Sequence, residues 1–167
     1  WNVAQRQANQ AACRRSVSLL MTDGYYNDNY TDPAKVYDYD NTDGNKYTCH
    51  LDNKNNCPTQ VQYKAVRPYI DAPNKLSNTL ADVATKYYKV DLDTNIDNKV
   101  LPVTGDNAYW QHLTQYMVGL GVSGTLDSSS PAAKTATIKA ITEGTKNWPD
   151  PTLGSPQKID DMWHAAV

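Results

Sequence analysis

The stretch "SVSLLMTDGYYND", residues 16–28, places Val17, Leu19, Leu20 and Met21 in six positions and then breaks at Thr-Asp-Gly. An apolar run of this length, closed by turn residues, predicts a buried strand over 16–22 that ends in a loop carrying Asp23. A second run of the same character leads from "AYWQHL" into "TQYMVGLGV" and places another strand around Met117. Between them Leu80, Val83, Ala84, Tyr87 and Tyr88 recur at helical spacing and predict an amphipathic helix over 77–90, capped by Ser77. Ser130-Pro131 supplies an N-cap and a first-turn proline for a helix over 131–143, and Gly144 stops it. A last helix, 157–166, follows Ser155-Pro156 with Ile159, Met162 and Trp163 on one face. Val3, Ala4, Ala8, Ala11 and Ala12 give residues 1–12 the look of a helix end.

Helices alternating with strongly apolar strands predict an α/β fold with a parallel sheet, covered by helices 77–90 and 131–143. The long polar stretch 25–75, with Pro33, Pro58, Pro68 and Pro73, reads as an insertion, in which "KVYDYD" and "VQYKAV" would form a short hairpin. No internal repeat or low-complexity linker divides the 167 residues, so one domain over 1–167 is expected. Two strong strands are too few for an independent sheet. The pattern is that of an interior part of a larger fold.

Composition changes the picture in three ways. The acids are 17 Asp against one Glu, with 15 Asn beside them, a bias toward ordered turns and toward hard-cation ligands. Twelve Tyr and four Trp with no Phe suit partly exposed contact surfaces, and the aromatic side chains of the insertion are candidate contact residues. A net charge of −2 with no basic run gives no attraction for nucleic acid, and no apolar stretch is long enough to span a membrane. Cys49 and Cys57 lie in a loop poor in apolar residues, so a disulfide between them is expected, and with it an oxidising compartment. Zinc on Cys49, His50 and Cys57 is the alternative, without a second ligand pair at structural spacing. Cys13 stays outside that pair.

"VGLGVSG" matches G-x-G-x-x-G at Gly119, Gly121 and Gly124, but six residues separate the third glycine from Pro131, and the acid about twenty residues on, Glu143, closes a helix. It reads as a glycine-rich strand exit with no dinucleotide. "DYDNTDG" (38–44) and "DLDTNID" (91–97) alternate oxygen donors as calcium loops do, yet neither has glycine at the sixth position or Glu at the twelfth. Capped turns on a solvated surface are expected in both, with a bound cation in either loop as the other reading. His50, His112 and His164 stand in no hydrolase motif, His112 and His164 are expected to pack on helix faces, and the chain is not expected to be an enzyme.

"CRRSVSLLMTDGYYND", "LSNTLADVATKYYKVDL", "WQHLTQYMVGLGVSGTL", "GTKNWPDP" and "KIDDMWHAAV" together resemble the von Willebrand factor A-like domain of type IV pilus tip adhesins of the PilC/PilY type. The resemblance implies a von Willebrand factor A-like parallel sheet flanked by helices, incomplete here because the first strands and the last strand are missing. It implies an extracellular protein of the pilus tip that attaches to a host or surface receptor and works with minor pilins in pilus biogenesis. It also implies that Asp23 matches the acid of a metal-ion-dependent adhesion site, where a divalent cation (Mg, Mn or Ca) would take a partner's carboxylate. The family's Asp-x-Ser-x-Ser motif and its later threonine are missing before Asp23, which leaves a turn acid beside Gly24 as the other reading.

Overall fold

The computed structural model describes residues 11–26, 35–52, 57 and 60–167, so nearly all of the expected helix end at 1–12 lies outside the described residues. The described elements, in chain order, are β1 (Ser16–Thr22), β2 (Lys46–Tyr47), β3 (Val61–Gln62), α1 (Leu80–Lys89), β4 (Leu113–Gly119), α2 (Pro131–Thr142) and α3 (Ser155–Ala165). The chain forms two compact units. One draws on residues up to Ser18, Asp43–Lys64 and Tyr87–Thr114, the other on Leu19–Thr42, Ala65–Lys86 and Gln115–Val167.

The fold is mixed α/β, with β1 and β4 paired as a two-stranded parallel sheet. The Leu120 N–H donates to the Thr22 carbonyl at 2.8 Å where both strands end. Both expected strands therefore form, but the expected burial does not: Val17 and Leu19 are each 61 % exposed and Met21 is 56 % exposed. Parallel strands are buried only where other elements cover both faces, and among the described residues no helix or strand covers these side chains. Helices 77–90 and 131–143 were expected in that place.

In the first unit β2 and β3 run antiparallel, with Lys46 opposite Gln62 and Tyr47 opposite Val61. The expected hairpin thus forms with its second half in place and its first half moved from "KVYDYD" to Lys46–Tyr47. Cys49 and Cys57 join in a disulfide across the loop between these strands, their Cα atoms 5.9 Å apart. The core of the unit is aromatic. Trp110 is buried, packs at a tilt against Tyr47 with ring centroids 4.9 Å apart, and donates its indole N–H to the Tyr88 carbonyl at 2.7 Å. His112 also packs here, at the entry to β4 and not on a helix, with Nε2 3.0 Å from Asp106 and Nδ1 2.7 Å from the Trp110 carbonyl. Two tyrosines of the supposed contact surface, Tyr47 and Tyr63, are thereby used for packing, while Tyr25, Tyr37 and Tyr69 stay exposed. "DLDTNID" forms capped turns: Asp91 accepts from the Asp93 N–H and Asp93 from the Asn95 N–H.

In the second unit the caps of α2 are those read from the sequence. The Ser130 hydroxyl accepts the Ala133 N–H at 3.1 Å, and Gly144 takes a left-handed φ of 76° that a side chain would resist. Arg67 closes the far end of this helix by donating to the Ile141 and Lys146 carbonyls, both at 3.1 Å. The α1 helix begins at Leu80, not Ser77, because Thr79 is its cap. Thr79 and Asp82 exchange hydrogen bonds, the Asp82 N–H to the Thr79 hydroxyl at 3.1 Å and the Thr79 N–H to the Asp82 carboxylate at 2.9 Å. Apolar burial here is thin: Val36, Ala81, Ala84, Ile141, Trp148 and Met162.

Closing a loop of eight residues' separation removes chain entropy worth about 2 to 3 kcal/mol from the unfolded state. Replacing Cys49 and Cys57 together by Ser is expected to lower the urea unfolding free energy by about that amount, and reduction of the native protein should reproduce the loss.

Candidate functional site

Two acidic features stand out among the described residues. The first is the turn at Asp23, where β1 ends. The Thr22 hydroxyl is spent locally, accepting the Gly24 N–H at 3.2 Å and donating to the Gly24 carbonyl at 2.9 Å. Asp23 itself is exposed in the bend that follows the strand. Among the described residues Asp23 belongs to no group of three or more His, Cys, Asp or Glu side chains close enough to share an ion. The residues at this turn therefore do not by themselves fit the divalent cation that the resemblance implies.

The second feature was legible in the sequence only as the alternating oxygen donors of "DYDNTDG". It begins with consecutive acids on α3, which bind two different parts of the chain. Asp160 accepts the N–H groups of Thr125 at 2.9 Å and Leu126 at 3.1 Å and the Thr125 hydroxyl at 2.5 Å. A Cβ on Gly124 would collide with this carboxylate, so the third glycine of "VGLGVSG" admits the close approach of α3. Asp161 accepts the N–H groups of Leu80 at 2.8 Å and Ala81 at 3.1 Å and the Tyr26 hydroxyl at 2.9 Å. The orphan donors of the first turn of α1 are thus met by a carboxylate some eighty residues away, where the helix dipole favours it.

Asp82 lies beside these groups and is fully buried. One of its oxygens accepts the N–H groups of Tyr39 at 2.6 Å and Asp40 at 3.3 Å, the other the Thr79 N–H and hydroxyl. Those bonds draw the "DYDNTDG" segment onto the helix, and the expectation of solvated turns fails there: Asp40 is only 1 % exposed. Asp40 accepts from Asn41 at 2.8 Å and from the Asp71 N–H at 3.1 Å, and Asp71 in turn accepts the Leu76 N–H at 2.8 Å. Single carboxylate oxygens of Asp38, Asp40 and Asp82 all fall within 4.8 Å of one another.

His164, one turn beyond Asp160 and Asp161 on α3, closes the group. It donates to the Tyr69 carbonyl, and its Nε2 lies 3.7 Å from Asp40 Oδ2. Its ring stacks on Trp148 at 4.5 Å between centroids and 15° between planes. Burial, together with the charges of Asp71 and Asp82, pushes the Asp40 carboxyl up to about 9, and burial pushes His164 down to about 4. Burial likewise raises Asp71 and Asp161 despite the N–H groups that each accepts.

What the geometry defines is a mixed α/β protein of two units with one carboxylate-rich, hydrogen-bonded centre. No protein-family model matches the chain, and no solved structure does. The chain is similar to the type IV pilus biogenesis factor PilY1 of Pseudomonas aeruginosa, 32 % identical in strain UCBPP-PA14 and 31 % in strain PAK, over 93 % of this chain each time. It spans about 14 % of the length of those proteins. Among the described residues no helix is long and apolar enough to cross a membrane.

The two shifted groups set opposite pH slopes. Asp40 holds its proton to about 9 when folded and loses it near 3.8 when unfolded, so its contribution is full below 3.8 and declines as pH rises toward 9. His164 contributes fully above 6.5, and that contribution is lost as pH falls through about 4. Urea unfolding at pH 7 and pH 9 is expected to show wild-type stability falling over this interval and Asp40→Asn falling less, because the amide has no proton to lose.

Proposed function

We propose that this chain is part of an extracellular type IV pilus tip adhesin that serves pilus biogenesis, alongside minor pilins, and attachment to a surface or host-cell receptor. The observation that carries this reading is the similarity to PilY1, named a type IV pilus biogenesis factor, over nearly the whole chain. The disulfide suits an oxidising, extracellular setting. The parallel sheet with an acid at its carboxyl end is consistent with a von Willebrand factor A-like domain whose sheet is completed by other parts of a longer protein. In that arrangement Asp23 is one ligand of a metal-ion-dependent adhesion site, and the other donors come from outside these 167 residues.

The second reading is an assembly module that docks within the pilus tip and binds no ligand through a metal. The exposed side chains of Val17, Leu19 and Met21 favour it, because apolar area of this kind is ordinarily spent on a protein interface.

Asp23→Ala introduced into the full-length protein in a piliated bacterium separates the two. The adhesin reading expects surface pili in normal number, attachment reduced severalfold, and no further loss when chelator removes divalent cations. The assembly reading expects attachment and its chelator response unchanged by the substitution. Loss of piliation on deletion of the whole segment supports the biogenesis role common to both, and retention of full piliation and attachment after that deletion overturns the proposal.

A further inference from the structure

The carboxylates of the buried centre explain one another, with one exception. Asp82 and Asp161 cap α1, Asp160 fixes the 125–126 loop, and Asp71 fixes Leu76. The exception is on the imidazole: His164 Nε2 is buried and has no hydrogen-bond partner among the described residues. The ring donates to the Tyr69 carbonyl, so the donating nitrogen is Nδ1 and Nε2 presents a lone pair. That lone pair faces Asp40 Oδ2, an oxygen that is itself accepting the Asp71 N–H. Two acceptors held 3.7 Å apart in a dry interior repel unless something positive lies between them. A proton can serve. A metal ion can serve as well, because oxygens of Asp38 and Asp82 lie within 4.8 Å of a carboxylate oxygen of Asp40.

We propose that Asp38, Asp40 and His164, with Asp82 adjoining, form a buried binding site for a divalent transition-metal ion, Mn2+ or Zn2+, separate from the turn at Asp23. The donor set selects the ion class: carboxylates alone would suit Ca2+ or Mg2+, whereas an imidazole with an open lone pair suits first-row transition cations. The Tyr69 carbonyl on the opposite ring nitrogen is the outer partner that metal-ligating histidines ordinarily have, fixing tautomer and orientation. Trp148 holds the ring from its face. Asp38 is only half-buried and gives the ion a way in from solvent. Asp82 already accepts four hydrogen bonds, so it supplies negative charge to the site more than a free lone pair. On binding, the ion displaces the proton that otherwise neutralises Asp40.

The test is made with chelator-treated protein carrying Asp23→Ala, so that a cation held at the turn is not counted. MnCl2 and ZnCl2 are titrated separately by calorimetry, and the Mn2+ form is examined by pulsed electron paramagnetic resonance. The expected result is one ion per chain, a nitrogen hyperfine coupling from an imidazole, and affinity lowered at least about tenfold by Asp40→Asn and by His164→Gln. Absence of saturable binding overturns the proposal, as does binding that both substitutions leave intact. Should either variant unfold, the nitrogen coupling decides: a bound Mn2+ without it means surface carboxylates hold the ion and the site does not exist. None of these outcomes depends on the adhesin reading, which rests on Asp23.

Discussion

Buried carboxylates accepting backbone N–H groups are the constraint on which the second unit depends. Its apolar core is small, and the segments around it are loops whose polar groups would otherwise be left unsatisfied. Asp160 and Asp161 answer this from adjacent positions on one helix, each taking two N–H groups and a hydroxyl from distant segments. An ionised carboxylate bonded to N–H donors makes a stronger and more directional tie than apolar contact. Its cost is desolvation, visible in the raised Asp161 carboxyl. Aspartate suits the task because its short side chain can meet a backbone amide in a tight turn with little entropy to lose.

The first unit is stabilised by other means. Tyr47, Tyr63, Tyr88, Trp110 and His112 form a chain of ring contacts, with the polar tips of Trp110 and Tyr88 bonded to the Tyr88 carbonyl and to Asp106. Where Asp106 also meets Arg15 and His112, an acid again organises its surroundings, here with basic partners. The absence of Phe from the sequence fits both units: the packed rings of Tyr47, Tyr88, Trp110 and Trp148 each bond through a polar atom.

What could be read from the sequence was what is local. Ser130, Pro131 and Gly144 set α2 within a residue or two because caps and stops are written at fixed offsets. Cys49 and Cys57 could be paired because little else could hold their loop. The strand at 16–22 was legible as a strand but not in its exposure, since exposure depends on what lies against its faces and not on its own pattern. The Thr79-x-x-Asp82 box is visible in the sequence, where an acid three residues after a threonine marks the start of a helix more firmly than Ser77 does. The buried centre was beyond reach. Asp161 meets Leu80 across eighty-one positions and His164 meets Asp40 across more, and no periodicity in one chain records such pairings.

The Cys49–Cys57 bridge also has a mechanical meaning. A chain drawn out from its two ends lengthens by roughly 3.4 Å for each residue released. The segment between the bridged cysteines cannot contribute, because tension bypasses it through the sulfur atoms. Eight residue steps, roughly 27 Å of contour, are withheld while the anchoring Cα atoms stay 5.9 Å apart. Under load, oxidised and reduced forms of this protein therefore differ in extensible length, and the thiol state of two residues sets how far the first unit can be pulled out before the backbone is taut.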